Sequence, residues 1–144
     1  MKFLKLTTTN FGEIDIDESA LINFEEGIPG FENVRRFALL QDDEMIVDWL
    51  QGIDEDIAFP VINPFAVKED YEFKIPEGDI NKLKIDRHED ILIYSIVVIP
   101  EDIKDIRTNL QAPIIINAKE KLGKQIILDD RYPLRYEFYE KVGA

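Results

Sequence analysis

The chain is 144 residues long, 45% hydrophobic and 33% charged, with no cysteine and a formal net charge of −13. This composition describes one globular domain over residues 1–144 with enough chain to bury a core. It excludes disulfides, thiolate catalysis and cysteine-ligated zinc or iron–sulfur centres, and such an excess of acid disfavours direct binding to nucleic acid or anionic lipid.

Met1-Lys2-Phe3-Leu4-Lys5 opens an alternating pattern with no apolar h-region, so no signal peptide is expected. No apolar run reaches the ~20 residues of a spanning helix. A cytoplasmic protein is expected. Residues 2–9 read as a strand, Asn10-Phe11-Gly12 as its turn, and Glu13-Ile14-Asp15-Ile16-Asp17 as the next strand. Its period of two sends Ile14 and Ile16 inward and Glu13, Asp15 and Asp17 outward, about 7 Å apart on one face. They begin an acidic span: residues 13–56 hold 14 acidic side chains against Arg35 and Arg36, a net of −12. Solubility explains such charge in many proteins, and its concentration here also suits a cationic partner.

Residues 21–24 read as a short strand entering Ile28-Pro29-Gly30-Phe31. Proline fixes φ at the second position of a type II turn, and glycine supplies the positive φ of the third. The expectation is a core turn pinned by the rings of Phe24 and Phe31, with a strand at 37–40 leaving it. Asp42-Asp43-Glu44 and Asp54-Glu55-Asp56 read as acidic loops, neither with the spacing of a calcium loop. Residues 45–50 form a strand candidate whose Trp49 anchors the core. Pro60 and Pro64 mark residues 58–67 as an edge or interrupted strand. Residues 71–75 alternate as a strand, and Asp79 caps a short helix near 79–84. Residues 91–99 read as a strand buried on both faces. Residues 101–107 read as a helical turn, and 114–116 as a strand. Gly123 turns the chain into a hairpin return at 124–128, and residues 132–139 are a strand or a loose tail. Short strands at close spacing with one short helix indicate an all-β, mainly antiparallel fold, a small barrel or sandwich.

Catalytic constellations are hard to build from this composition. His88 is the lone histidine, set among charges in Asp86-Arg87-His88-Glu89-Asp90, where solvation explains it. There is no nucleophile elbow, no phosphate loop and no H-E-x-x-H motif. The expectation is a non-enzymatic protein without metal or cofactor.

Two long runs remain. One is Phe24-Glu25-Glu26-Gly27-Ile28-Pro29-Gly30-Phe31-Glu32. The other is Thr108-Asn109-Leu110-Gln111-Ala112-Pro113-Ile114-Ile115-Ile116-Asn117, followed by Gly123-Lys124-Gln125-Ile126-Ile127-Leu128. In physical terms, Asn109, Gln111 and Asn117 suit hydrogen bonds to loop backbone. Together, with Trp49-Leu50-Gln51 and Ala58-Phe59 between them, the runs resemble the flagellar assembly factor FliW family over essentially the whole chain. The resemblance implies a cytoplasmic, non-enzymatic β-barrel with two protein partners that exclude each other; a monomer is expected. One is flagellin; the other is CsrA, the RNA-binding translational regulator that represses flagellin synthesis. Joined to the charge pattern, it suggests Asp15, Asp17, Glu25, Glu26 and Glu32 as contacts for the basic CsrA. Phe31, Leu110 and Pro113 are apolar candidates for flagellin, equally explicable as core, and Asn109, Gln111 and Asn117 are polar candidates beside them. The alternatives are a small β-barrel that binds a carbohydrate or another small ligand, and a chaperone for flagellin alone.

Overall fold

A computed structural model gives the structure of residues 2–142; Met1, Gly143 and Ala144 lie outside the described residues. The chain opens as a hairpin of β1 (Phe3–Thr8) and β2 (Gly12–Asp17), paired from Phe3↔Asp17 to Thr8↔Gly12. Ile16 is buried and Ile14 half-buried, while Glu13 and Asp15 face water, as the alternation requires. The strands that follow are β3 (Ile22–Asn23), β4 (Arg36–Leu40), β5 (Asp48–Gly52), β6 (Ala58–Ile62), β7 (Ile91–Val98), β8 (Arg107–Thr108), β9 (Ile114–Asn117), β10 (Leu122–Gln125) and β11 (Tyr136–Glu137). Among the described residues there are three short α-helices: α1 (Pro64–Val67) and α2 (Glu77–Lys82), both between β6 and β7, and α3 (Tyr139–Val142), after β11.

Pairing runs β7-β6-β5-β4-β3-β10-β9, and β9 returns to β7, so these seven strands close a barrel. Every pairing in it is antiparallel except β10 with β3, which meet in parallel at Leu122↔Asn23 alone. β8 and β11 extend the sheet outward from the end of β7.

Alternation along the strands fills the barrel and coats it. Phe24, Phe37, Leu50, Val61, Ile114 and Ile116 pack inside. Ile115, between two of them, points outward and joins Leu122 and Ile126 under Phe73, Ile75, Leu83 and Ile85. On another flank, Val47, Ile62 and Val97 are covered by Val67, Ile106 and Phe138. Each such side chain, fully buried, stabilises the fold by about 1.5–3 kcal/mol relative to exposure.

Several elements depart from the sequence expectations. Of the two readings of 58–67, the interrupted strand holds and the edge strand does not: residues 58–62 form a strand inside the closed barrel and stop before Pro64. Its proline is tolerated because β6 meets β7 only through Val61 and Ile62, leaving Pro60 with the single neighbour β5. Pro64 starts α1 behind an Asn63 cap. The strand at 45–50 begins later, at Asp48, with Met45 and Ile46 exposed. Residues 71–75 alternate but have no ladder partner; they lie as an extended strap, with Tyr71 buried and its hydroxyl donating to the Leu110 carbonyl at 2.7 Å. α2 starts at Glu77 without a side-chain cap, and Asp79 binds Lys124 instead. β7 is buried on one face only at its ends, where Leu92 and Val98 are exposed.

Gly123 is not the hairpin turn. The turn occupies residues 118–121, with Lys121 at φ +56°. Gly123 sits within β10 because a Cβ there would lie 2.5 Å from the Phe24 ring. Phe24 itself is fully buried and meets Phe37 edge-on at 5.0 Å. The C-terminal residues are docked, with Tyr132 and Phe138 buried.

Gly123→Ala forces the Phe24 ring out of its rotamer or shifts β10 away from β3. It is expected to cost about 2–3 kcal/mol, the range for overpacking a core, read as a lower urea midpoint at unchanged slope.

Candidate partner-binding site

The turn at 28–31 forms as its sequence dictates. Phe31 donates its N–H to the Ile28 carbonyl at 2.7 Å, and Gly30 takes φ +89°. Ile28 is buried beneath it, but Phe31 is 44% exposed. Its ring is therefore not a core pin. It stands edge-on to Phe59 at 5.1 Å and forms the lip of a groove of about 450 Å³. The floor is Ile28, Phe59 and Ile96, and the far side is Ala112, Gln125, Ile127 and Leu134. Ile127 is 74% exposed and Leu134 is 59% exposed. Contiguous exposed apolar surface of this kind marks a binding site more often than scattered single residues do.

Three of the polar and apolar candidates meet here. Phe31, Asn109 and Gln111 all line the groove. Asn109 Oδ1 accepts from the N–H groups of Gln111 and Ala112 at 3.0 and 3.1 Å, which fixes the loop that carries them. The other three are interior. Leu110 and Pro113 are buried. Asn117 is 2% exposed and fully engaged: its amide donates to the carbonyls of Leu83 and Lys84, and its Oδ1 accepts from Lys119 and Glu120. These residues hold the groove's far wall and the barrel hairpin. Ile127, Leu134 and Phe59 were not among the contact candidates read from the sequence. An exposed isoleucine in a β-pattern is the signal that would have found Ile127, but alternation alone cannot show which face is covered.

The acidic candidates divide in the same way. Asp17 caps a 3-10 turn through the N–H and hydroxyl of Ser19, and these bonds lower its pKa. Glu32 accepts from Gly30 N–H at 3.0 Å, with its pKa lowered in turn. Glu26 lies within 3.4 Å of Lys82 and 3.3 Å of Lys124. Slight burial works to raise its pKa, but the two ammonium groups hold it below the usual value. Lys124 is held above its usual value, chiefly by Asp79. Asp15 and Glu25 are exposed, with no ion pair or side-chain hydrogen bond among the described residues.

The second acidic loop is partly structural. Asp54 Oδ2 accepts from the N–H groups of Arg35 and Arg36 at 2.9 and 3.0 Å, while its Oδ1 pairs with the Arg36 guanidinium at 3.0 Å. Asp56 holds the β1–β2 hairpin onto the barrel through the N–H and hydroxyl of Thr9, at 3.0 and 2.7 Å. Among the described residues no group of three or more His, Cys, Asp or Glu is arranged to hold a metal, and no helix is long and apolar enough to cross a membrane.

The family model described as FliW protein matches residues 5–138. The chain belongs to the FliW family of flagellar assembly factors. The flagellar assembly factor FliW of Caldicellulosiruptor saccharolyticus is 50% identical over 136 residues, covering 93% of this chain and 90% of that protein. The FliW of Thermoanaerobacter pseudethanolicus is 46% identical over 143 residues, covering 96% and 95%. A crystal structure of the flagellar assembly factor FliW superimposes with a TM-score of 0.88 at 34% identity, over 94% of this chain and 96% of that one. The closed barrel is thus a FliW fold.

Asp54 generates a pH prediction. Partial burial works against its charge, but two backbone N–H groups and Arg36 outweigh that and lower its pKa from 3.8. A carboxylate lowered in the folded state stabilises the fold above its unfolded pKa, and that stabilisation fades as pH falls through the folded value. Asp54→Asn is expected to cost about 1–2 kcal/mol at pH 7. The gap from the unaltered chain narrows as the pH falls through the carboxylate range, as followed by urea unfolding across pH 2–7.

Proposed function

We propose that this FliW-family chain is a non-enzymatic, cytoplasmic flagellar assembly factor that binds flagellin and, in mutually exclusive fashion, the translational regulator CsrA, so that binding CsrA relieves repression of flagellin synthesis. The observation that carries the reading is the double character of the 24–34 turn. Phe31 forms the apolar lip of the groove, while Glu25 and Glu32 stand exposed on the same turn. A partner seated on the apolar side crowds the acidic side, which supports exclusion of one partner by the other. The groove suits flagellin, with Phe31, Asn109 and Gln111 in contact. The acids suit an RNA-binding protein, which must present positive charge somewhere. A barrel lumen filled by Phe24, Phe37, Leu50 and Ile114 leaves little room for the small-ligand alternative.

Calorimetry with purified CsrA at two salt concentrations, followed by addition of flagellin, tests the reading. Binding that weakens with salt and is reversed by flagellin is the expected result; binding to neither folded partner sinks it. Asp15→Lys combined with Glu25→Lys is expected to slow CsrA association about tenfold at low salt and flatten its salt dependence, as loss of steering does. An association rate and salt slope equal to those of the unaltered chain would remove these acids from the interface. Phe31→Ala is expected to weaken flagellin binding about tenfold or more, the loss typical of an aromatic anchor, with CsrA binding changed less.

A further inference from the structure

The groove is bounded on one side by an unfinished sheet edge. β10 pairs with β9 from Leu122↔Asn117 to Gln125↔Ile114, and the ladder continues past the strand's end. Ile126 N–H donates to the Pro113 carbonyl at 3.0 Å, and Leu128 N–H to the Gln111 carbonyl at 2.7 Å. In an antiparallel ladder, alternate residues direct both backbone groups to opposite sides. Ile126 and Leu128 face β9, so Gln125 and Ile127 present their N–H and C=O groups away from it. The strand on that side is β3, and it pairs with β10 at Leu122 alone. Phe24 N–H continues the β3–β4 ladder by bonding the Arg35 carbonyl, and beyond Asn23 the chain runs on to the turn at 28–31 with no further residue paired to β10 among the described residues. Among the described residues the edge at 125–127 therefore has no strand beside it, and it borders the groove whose opposite lip is Pro29 and Phe31.

An unpaired edge next to an apolar groove has a specific occupant. A helix would cover the apolar floor but leave the edge groups unmet, whereas an extended segment satisfies both at once. We propose that flagellin enters this groove as an extended segment that adds a strand to β10, its backbone bonding Gln125 and Ile127 and an apolar side chain lying on Phe59 between Phe31 and Ile127. Charge favours one end of the segment: Glu32, exposed next to Phe31, suits a lysine or arginine there. The proposal rests on the reading of flagellin as a partner and specifies how it binds.

The edge can be tested apart from the groove. Ile127 N–H serves no bond within the described fold, so Ile127→Pro removes an outward donor and places a ring in the path of an added strand. Its urea midpoint is expected to stay close to that of the unaltered chain. Its affinity for purified flagellin is expected to fall about fivefold or more, the loss from at least one backbone hydrogen bond. Ile127→Val, which keeps the N–H, is expected to bind within about twofold of the unaltered chain. On the unaltered chain, amide exchange resolved by residue is expected to slow at Gln125 and Ile127 when flagellin saturates it. This measurement decides the matter even if Ile127→Pro folds poorly. Unchanged exchange at both amides under saturation overturns the added strand, as does full affinity in folded Ile127→Pro. If Phe31→Ala still weakens binding in that case, flagellin occupies the groove in another form and the function stands. If the unaltered chain binds no flagellin at all, the proposal and the function fall together.

Discussion

The barrel depends on the contact between the Phe24 ring and Gly123. Among the described residues β3 and β10 are the only parallel neighbours, joined in register at one pair of residues. So short a ladder supplies few hydrogen bonds, and the junction is completed by an aromatic ring lying against a strand backbone that has no side chain to obstruct it. The same ring meets Phe37 on β4, so one side chain ties three strands. Closing the barrel this way also has a cost in completeness. Ladder pairing with β10 ends at Asn23 as the chain runs on to the turn at 28–31, and the β10 edge at 125–127 is left facing a groove.

The apolar and acidic features of the surface follow from that departure. The turn needs Pro29 and Gly30 for its backbone, and it buries Ile28 as its anchor. Phe31 is then carried to the outside, against Phe59, where it cannot join the core. The carboxylates on the turn are sorted by geometry. Glu26 reaches two lysines and Glu32 reaches a backbone N–H, but Glu25 reaches neither. Charge counted along the sequence therefore overstates the charge available to a partner, because Asp17, Glu26, Glu32, Asp54 and Asp56 are already spent in part on the fold's own N–H groups and cations.

Much of the architecture was legible from local pattern. Alternation marked the β1–β2 hairpin, the turn residues marked 28–31, and the density of short strands marked an all-β fold. What failed were elements whose state depends on a distant neighbour. Residues 71–75 alternate as a strand does, yet a strap over Ile115 and Leu122 needs the same apolar period without a ladder. Pro60 excludes a strand flanked on both sides, and only the topology shows that β6 has one neighbour at that point. Gly123 looks like a turn until Phe24 is placed against it. At the site, motif order identified the family, but burial divided the candidates: Phe31 and Gln111 line a surface, whereas Leu110 and Asn117 hold the wall behind it.

The two lips of the groove come from distant parts of the chain, residues 28–31 and 125–134, and so do the strands β3 and β10 that close the barrel beneath it. Pairings of high sequence separation form late and slowly, because the loop between them must be ordered first. During synthesis the first lip emerges long before the second exists. The groove therefore takes shape only after the last barrel strand has been made and seated. A chain truncated before β10, or one still waiting for it, has no groove to offer, so on the proposed function apolar capture of a partner would double as a report that the barrel is complete.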